Sequence, residues 1–460
     1  MIRIFNHYLH RRTLMQVMFD LGLILVVVMG MSMGTLGGAG TGFVLPLLAC
    51  LLLAACVFVI NTATGFYEYA HNRSLLQSLA RATVAILIAL PLAWLIFGLL
   101  PSSVLGRDVM RLAAMGVVVW VFGHRAVVAH SKAQSLIRSR ILVFGAGPSA
   151  QLVAQTLTQS DPHAEVVGFV IGPNETQAAV SSHEILKSDR PLSHLARDLR
   201  VDEIVVALTE RRGGSMPLRE LLDCKLSGVR VLDTSAHFEK ALAQIRIDHV
   251  HAGALIFGEG FNQGWLRTAV KRVFDLVCTA ILLLPGVPLM LLTALAIKLD
   301  SRGPVFYRQE RTGYNGKPFE VVKFRSMRVD AEGDGQPRWA KAGDDRVTRV
   351  GRIIRKLRID ELPQLINVLR GEMSLVGPRP ERPFFVEQLT QQVPFYAVRH
   401  SMKPGVTGWA QVRYHYGESV EDAKRKLEYD LYYVKNHSLF LDLVIILETI
   451  AVVLTARGSR

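Results

Sequence analysis

Lys271-Arg272-Val273-Phe274-Asp275 leads into the apolar run Leu276–Leu284, then Pro285-Gly286-Val287-Pro288, then a second apolar run, Leu289–Ile297, closed by Lys298. Together the two runs are long enough to cross a bilayer, for which about 20 apolar residues suffice. Basic residues flank both ends, and two prolines with a glycine interrupt the middle. Arg- and Lys-rich sequence follows. A single crossing would carry that sequence to the far side of the membrane, against the tendency of basic segments to stay cytoplasmic. A helix that enters, breaks at Pro285 and Pro288 and returns to the same face satisfies both length and charge. Proline inside a helix removes a hydrogen bond and forces a kink, and the carbonyls it frees need cover from protein. The stretch 271–298 is therefore expected to be re-entrant, with an ordinary kinked span as the alternative.

The same charge reasoning orients the rest of the chain. With 460 residues, 50% of them hydrophobic, and a mean hydropathy of +0.27, several domains and several membrane segments are expected. Leu14–Gly34, Phe43–Ile60, Ala82–Leu100 and Val109–Val128 are each near the length of a span. Arg3, Arg11 and Arg12 precede the first, while the Gly34–Gly42 loop carries no charge. Arg73 and Arg81 lie between the second and third, and Arg125, Lys132, Arg138 and Arg140 end the fourth; on the other side Arg107 is balanced by Asp108. This places the N-terminus and everything after Ser131 in the cytoplasm. A transporter bundle is disfavoured, because these segments carry no central charged pair and no broken-helix repeat. The net charge of +14 calls for an anionic partner: a phosphorylated substrate, lipid headgroups or nucleic acid. Nucleic acid is set aside, since no stripe of interleaved aromatic and basic residues is present. The four cysteines form no C-x-x-C pair, so neither a zinc site nor a disulfide framework is expected.

Residues 138–248 read as a small parallel α/β domain. Arg140-Ile141-Leu142-Val143-Phe144 is a buried strand, and Gly145-Ala146-Gly147-Pro148-Ser149-Ala150 has the G-x-G-x-x-A form of a dinucleotide turn opening a helix. Strands are expected at Glu165–Val170, Glu203–Leu208 and Gly228–Leu232, with a helix over Met216–Lys225. The acidic residue that would hold a ribose at the end of the second strand is missing, because Val170 is followed by Ile171-Gly172. A nucleotide-binding-like fold used for regulation or assembly, with no bound cofactor, is the expectation. A linker rich in Gly and His, His249–Gly264, follows.

Beyond the re-entrant stretch the chain turns soluble in character. Pro304–Arg308 and Phe319–Arg325 read as strands, the second delivering Lys323 and Arg325 on one face. Leu357–Gln364 then sets Asp360 and Glu361 side by side at the mouth of an amphipathic helix. Leu362, Leu365, Ile366 and Leu369 fall at helical spacing, Pro363 belongs in the first turn and Gly371 is the stop. Asp360 is thereby expected at or next to the N-cap. Arg346, Arg349, Arg352, Arg355 and Arg358 precede the pair, and Arg379 follows between two prolines. Cations this dense beside two carboxylates suit a site handling phosphate with a divalent metal; a solvated basic face is the plainer reading of the outer arginines. Leu439–Leu454 is apolar but carries Asp442 and Glu448, which argues for an interfacial or docking helix.

From Lys271 to about Leu454 the chain resembles the bacterial sugar transferase family, the monotopic polyprenyl-phosphate phosphoglycosyl transferases. The resemblance rests on Lys271–Asp275, Gly303–Tyr307, Lys323–Met327, Asp360–Gln364, Gly377–Pro380, Lys403–Gln411 and Asp430–Tyr433, in that order. With the N-terminal spans and the Rossmann-like domain, the whole is similar to the large exopolysaccharide-priming members. The fold class implied is a mixed membrane protein: a four-span region over 1–132, a Rossmann-like domain over 138–248, and an α/β transferase domain over 266–460 with a re-entrant helix.

The resemblance implies transfer of sugar-1-phosphate from a UDP-sugar to undecaprenyl phosphate at the cytoplasmic face of a bacterial inner membrane. Asp360 would be the nucleophile and Glu361 the ligand of Mg²⁺. Lys323, Arg325, Arg358 and Arg379 are the expected phosphate clamp, with Gln364 and Asn367 as further substrate contacts. A second copy of the chain and other exopolysaccharide assembly proteins complete the expected partners. A membrane-anchored nucleotide sensor or scaffold with an inert transferase domain is the alternative, disfavoured by the intact Asp360-Glu361 pair. A nicotinamide-dependent sugar dehydratase or epimerase would need a Tyr-x-x-x-Lys couple, absent between Ile141 and Lys240.

Overall fold

The computed structural model describes residues 2–4, 7–9, 11–35, 44–64, 75–99, 104–130, 139–160, 164–172, 175, 178–181, 184–186, 190–208, 216–250, 255, 260–261, 264–329, 346–414 and 419–454. The Gly34–Gly42 loop beyond Thr35, Arg73, Lys132, Arg138 and most of the linker His249–Gly264 lie outside them. By internal contacts the chain forms two compact units. One is essentially Val127–Gly258; the other joins Ile2–Glu68, Ser74–Ala126 and Glu259–Arg460.

The larger unit opens with a short antiparallel pair, β1 (Ile2–Ile4) and β2 (His7–Leu9), and four helices: α1 (Arg11–Thr35), α2 (Val44–Ala63), α3 (Leu75–Gly98) and α4 (Val104–His130). Their facing residues form one core that includes Ile24, Leu53, Val57, Phe97, Val118 and Phe122. On α3 that face is lined by Ala82, Ala85, Ala89 and Ala93, small residues that let helices approach closely. Apolar side chains also point outward, among them Leu51, Leu87 and Trp120, as in helices surrounded by lipid rather than water. Within α2 and α3, Val44–Thr62 and Arg81–Gly98 are long and apolar enough to cross a membrane. α1 offers only the shorter apolar stretch Leu14–Val28. α4 carries Arg107, Asp108, Arg111 and Arg125 and is not among the helices that meet this standard. Among the described residues, two of the four expected spans thus meet this standard. Arg111 is accommodated locally, bonded to Asp108 at 3.0 Å with its guanidinium 4.3 Å from the centre of the Trp94 ring.

The smaller unit is the expected parallel α/β domain. Its elements are β3 (Ser139–Phe144), α5 (Pro148–Ser160), β4 (Ala164–Val170), α6 (Leu192–Asp198), β5 (Glu203–Val206), α7 (Leu218–Leu226), β6 (Arg230–Asp233) and α8 (Thr234–Leu242). The strands run parallel in the order β4-β3-β5-β6, with apolar cores on both faces of the sheet. No acid ends β4, and Glu175, five residues on, turns its carboxylate to the glycine turn instead. The Glu175 carboxylate accepts the N–H of Ala146 in the glycine turn at 2.7 Å and that of Gly172 at 3.2 Å.

The larger unit resumes with α9 (Trp265–Asp300), 36 residues of helix with Pro285 and Pro288 inside it. Here the expectation needs correction: the helix is not interrupted at the prolines, so any change of direction there is a bend within helical backbone. Its outer surface, including Leu284, Leu291, Leu292 and Leu295, is exposed and apolar. Both of its ends hold on to the segment that follows. Arg272 donates to the carbonyls of Val368 and Leu369, while Asp300 accepts the N–H of Val350.

After α9 come β7 (Phe306–Thr312) and β8 (Pro318–Phe324), an antiparallel hairpin that pairs Tyr307 with Lys323. Next are α10 (Arg349–Lys356), α11 (Gln364–Arg370), β9 (Ser374–Val376), α12 (Pro383–Gln392), β10 (Gly405–Thr407), α13 (Trp409–Arg413), α14 (Val420–Asn436) and α15 (Leu439–Leu454). Ile297, Phe324 and Ile354 make a small core that seats the end of α9 on β8 and α10, with Ile359 against it. β9 and β10 run parallel, and beside them Gly377 and Gly405 approach so closely that a Cβ on either would overlap the other strand's backbone. The C-terminal α15 docks rather than standing free: it packs against α2, with Leu441 and Ile445 fully buried.

Candidate active site

Asp360 and Glu361 do not open the amphipathic helix as its N-cap. They form a separate 3₁₀ turn, Ile359–Glu361, and α11 begins only at Gln364 with Pro363 as its N-cap. The cause lies one residue upstream: Arg358 sits in the left-handed region at φ 57°, reversing the chain at the end of α10. A non-glycine residue held there is strained, and such strain clusters at functional sites. Gly371, also left-handed at φ 83°, closes α11 as its spacing foretold. Leu365 and Val368 take the buried face, whereas Leu369, expected inside, is exposed.

Three cations converge on one oxygen of Glu361. Arg379 Nη2 lies 2.8 Å from Oε1, Lys323 Nζ 3.5 Å and Arg358 Nη1 3.8 Å. Burial raises the Glu361 carboxyl, but Arg379, Lys323 and Arg358 together outweigh it and hold the group well below the usual carboxylate range. Asp360 fares differently. Burial, then the neighbouring Glu361 charge, push its carboxyl up to about 6, only partly countered by Lys323, Arg358 and Arg379. Its Oδ1 is shut off from solvent and accepts no hydrogen bond. Burial likewise lowers the Lys323 ammonium to about 8. The result is one carboxylate clamped by cations beside a half-buried second one whose Oδ1 accepts no hydrogen bond, in a nest of positive charge.

Asp360, Glu361, Lys323, Arg358 and Arg379 are therefore brought together, whereas Arg325 and Asn367 are engaged elsewhere. Arg325, buried just past the end of β8, spends its guanidinium on the end of α9. Nη1 donates to the Arg302 carbonyl, and Nη2 to the Ser301 carbonyl and hydroxyl, all at 2.8 Å. Alternation along the strand put it on the face of Lys323; the strand ends at Phe324 and the alternation with it. Asn367, fully buried, staples α11 to β8: its Oδ1 accepts Val322 N–H at 3.1 Å, and its Nδ2 donates to the Glu320 carbonyl and to Glu372, each at 2.7 Å. Gln364 is buried in the first turn of α11. Within the arginine run, Arg358 reaches the cluster, while Arg352 is exposed on α10.

The supports of Arg379 escaped sequence reading. Arg399 Nη2 donates to the Arg379 carbonyl at 2.8 Å and pairs with buried Asp430 at 2.8 Å, and Arg311 donates to the Pro380 carbonyl at 3.2 Å. Asp430 lies in one of the runs that carry the resemblance; its partner across 31 positions is set only by the fold. The two carboxylates at 360 and 361 supply the hard oxygen donors that Mg²⁺ takes together with substrate phosphates. Among the described residues no group of three or more His, Cys, Asp or Glu could hold a metal by itself, which is compatible with an ion completed by substrate and water.

Comparison with known proteins agrees with this geometry. The model of the family "Bacterial sugar transferase" matches residues 266–456. A UDP-N-acetylgalactosamine-undecaprenyl-phosphate N-acetylgalactosaminephosphotransferase of Aeromonas hydrophila is 42% identical over 262 residues, 57% of this chain and 61% of that protein. A UDP-glucose:undecaprenyl-phosphate glucose-1-phosphate transferase of Caulobacter vibrioides is 49% identical over 191 residues, 41% of this chain and 71% of its own length. The exopolysaccharide production protein PSS of Rhizobium leguminosarum bv. phaseoli is 45% identical over 199 residues, 41% of this chain and 97% of its own. The likeness to the last two covers most of each relative, and the family match spans the part of this chain that contains Asp360 and its cations. The chain belongs to the bacterial sugar transferase family.

Proposed function

We propose that this protein transfers a sugar-1-phosphate from a UDP-sugar to undecaprenyl phosphate, releasing UMP and priming exopolysaccharide or capsule synthesis. The names of the relatives support the reaction class, and they differ in the sugar, glucose in one and N-acetylgalactosamine in another. The observation that carries the proposal is the pairing of a half-buried Asp360, whose carboxyl is pushed up by burial and by the Glu361 charge, with a Glu361 held by three cations.

In the first half-reaction an Asp360 oxygen attacks the sugar-bearing phosphorus. The bridging P–O bond breaks, UMP leaves with that oxygen, and a phosphosugar-aspartyl intermediate remains. In the second, a phosphate oxygen of the polyprenyl phosphate attacks the same phosphorus and the Asp360 carboxylate departs, giving the lipid-linked diphosphate sugar. Lys323, Arg358 and Arg379 offset the repulsion between anionic carboxylate and anionic phosphates, the kind of fixed charge on which phosphoryl transfer chiefly depends. Glu361, with Asp360 beside it, is the group that would hold Mg²⁺, which when bound would neutralise further phosphate charge.

The acceptor is a membrane lipid, so the site must lie at the bilayer surface, and we place it at the cytoplasmic face on the charge pattern. α9 is read as re-entrant. A straight helix would separate Arg272 from Ile297 by about 37 Å. The contacts that join them run from Ile297 to Phe324, along β8 to Val322, across to Asn367, on to Val368 and back to Arg272. With side chains extended those steps could span such a distance only if all pointed one way, and both ends of α9 are held to the one β8–α11 pair. A helix bent near Pro285 and Pro288 fits within that reach. The test is UMP release from a panel of UDP-sugars by protein in detergent or nanodiscs, followed by mass analysis for a phosphosugar adduct on Asp360. No UMP from any UDP-sugar, or an adduct on another residue, would refute the reading.

A further inference from the structure

Arg379 reaches Glu361 from the end of a short backbone rail, β9 and the three residues after it, and several groups on that rail are held. Ser374 N–H donates to the Pro404 carbonyl and Gly377 N–H to that of Thr407, while Gly405 N–H donates to the Pro378 carbonyl. Arg399 takes the Arg379 carbonyl. Side chains from two other helices also meet the N–H of Leu375 and, beside the Ser374 hydroxyl at 3.0 Å, the carbonyl of Val376. Asp275 of α9 accepts Leu375 N–H at 3.4 Å and the Ser374 hydroxyl at 2.7 Å. The Tyr433 hydroxyl of α14 lies 3.0 Å from the Val376 carbonyl and 2.7 Å from Asp442 of α15. Lys271 closes a ring, 3.2 Å from Asp275 and 3.0 Å from Asp442. Asp275, Tyr433 and Asp442 are all essentially sealed from solvent.

A buried ion pair is a costly way to gain stability, since apolar replacements often serve as well. Its retention makes sense where a defined geometry is needed. The ring joins the root of the membrane helix α9 and the docked helix α15 to one rail, and that rail ends at the cation nearest to Glu361. We infer that Tyr433 and Asp442 are positioning residues for Arg379, so that the seating of α9 and α15 sets the clamp on the sugar-nucleotide phosphates. The inference rests on the function proposed above. Neither residue touches the reacting atoms; Tyr433 steers the rail through the Val376 carbonyl, and Asp442 steers it through Tyr433 and Lys271.

A double-mutant cycle separates this role from a merely structural one. Kinetics are normalised to the active fraction, taken from the UMP burst without polyprenyl acceptor. Tyr433→Phe is expected to lower kcat/KM for the UDP-sugar about tenfold, through KM as much as kcat, in the Arg379 protein, and by less than about twofold where Arg379→Ala has already removed the clamp. An equal loss in both backgrounds, or a loss confined to the active fraction, would overturn the inference. Asp442→Asn keeps an acceptor for Tyr433 while removing the charge that faces Lys271, and the same cycle on it decides the matter if Tyr433→Phe folds poorly. Amide exchange over residues 374–380 reads the rail without turnover. Faster exchange in either variant is expected, and unchanged exchange would overturn the inference. A wild-type protein that releases no UMP would count against the proposed function and leave the exchange result to judge the rail.

Discussion

Replacing the proposed nucleophile should make the protein more stable. Asp360 titrates near 6 against an ordinary 3.8, because burial and the Glu361 charge outweigh three cations. Holding it ionised at neutral pH therefore costs about 3 kcal/mol, at 1.36 kcal/mol for each unit of displacement. The sign follows from proton binding. Between 3.8 and about 6 the folded protein binds more protons at this position than the unfolded chain, so the penalty is complete above pH 6 and fades as pH falls toward 3.8. Asp360→Asn keeps the shape and removes the charge. Thermal unfolding of the purified, Mg²⁺-free protein at pH 7.5 should shift upward by roughly 6–12 °C for a transferase region of this size, and by little at pH 4. UMP release by the same variant should be abolished. A variant no more stable than wild type at pH 7.5, or equally stabilised at both pH values, would refute the claim that Asp360 is held ionised at a cost.

The same titrations shape turnover. kcat/KM for the UDP-sugar should fall about tenfold per pH unit below about 6, as Asp360 takes up its proton, and decline again above about 8, as Lys323 loses its own. Glu361→Gln leaves Arg379, Lys323 and Arg358 facing a neutral amide; UMP release should drop at least about a hundredfold and need more Mg²⁺, measured by titrating the metal. Asn367→Ala strands Val322 N–H and the Glu320 carbonyl and should cost about 3 kcal/mol in denaturant unfolding. Arg325→Met should lower stability by about 2 kcal/mol while KM for the UDP-sugar in the folded fraction stays unchanged; a raised KM would return Arg325 to the phosphate clamp.

Periodicity and punctuation carried the local structure. Alternation and glycine turns marked the strands and the G-x-G-x-x-A turn of the smaller unit, and Gly371 marked the end of α11, because each depends on the conformational preferences of a few adjacent residues. The adjacent carboxylates and the density of nearby arginines located the candidate site for the same reason: the groups are close in the chain. Which arginines belong to it was beyond the sequence. Arg325 looked equivalent to Lys323 and was drawn instead to the open carbonyls at the end of α9, while Asn367 was consumed in stapling α11 to β8. Arg358 was placed by a left-handed residue that spacing does not announce. Tyr433, through Val376, and Asp442, Arg399 and Asp430 gained their meaning from partners tens to more than a hundred residues away. Sequence alone determined which residues could carry charge and turn the chain. The tertiary structure decided which charges meet, because a buried ion must find its counter-charge or capped carbonyl in three dimensions, and the choice among many available arginines is made by packing.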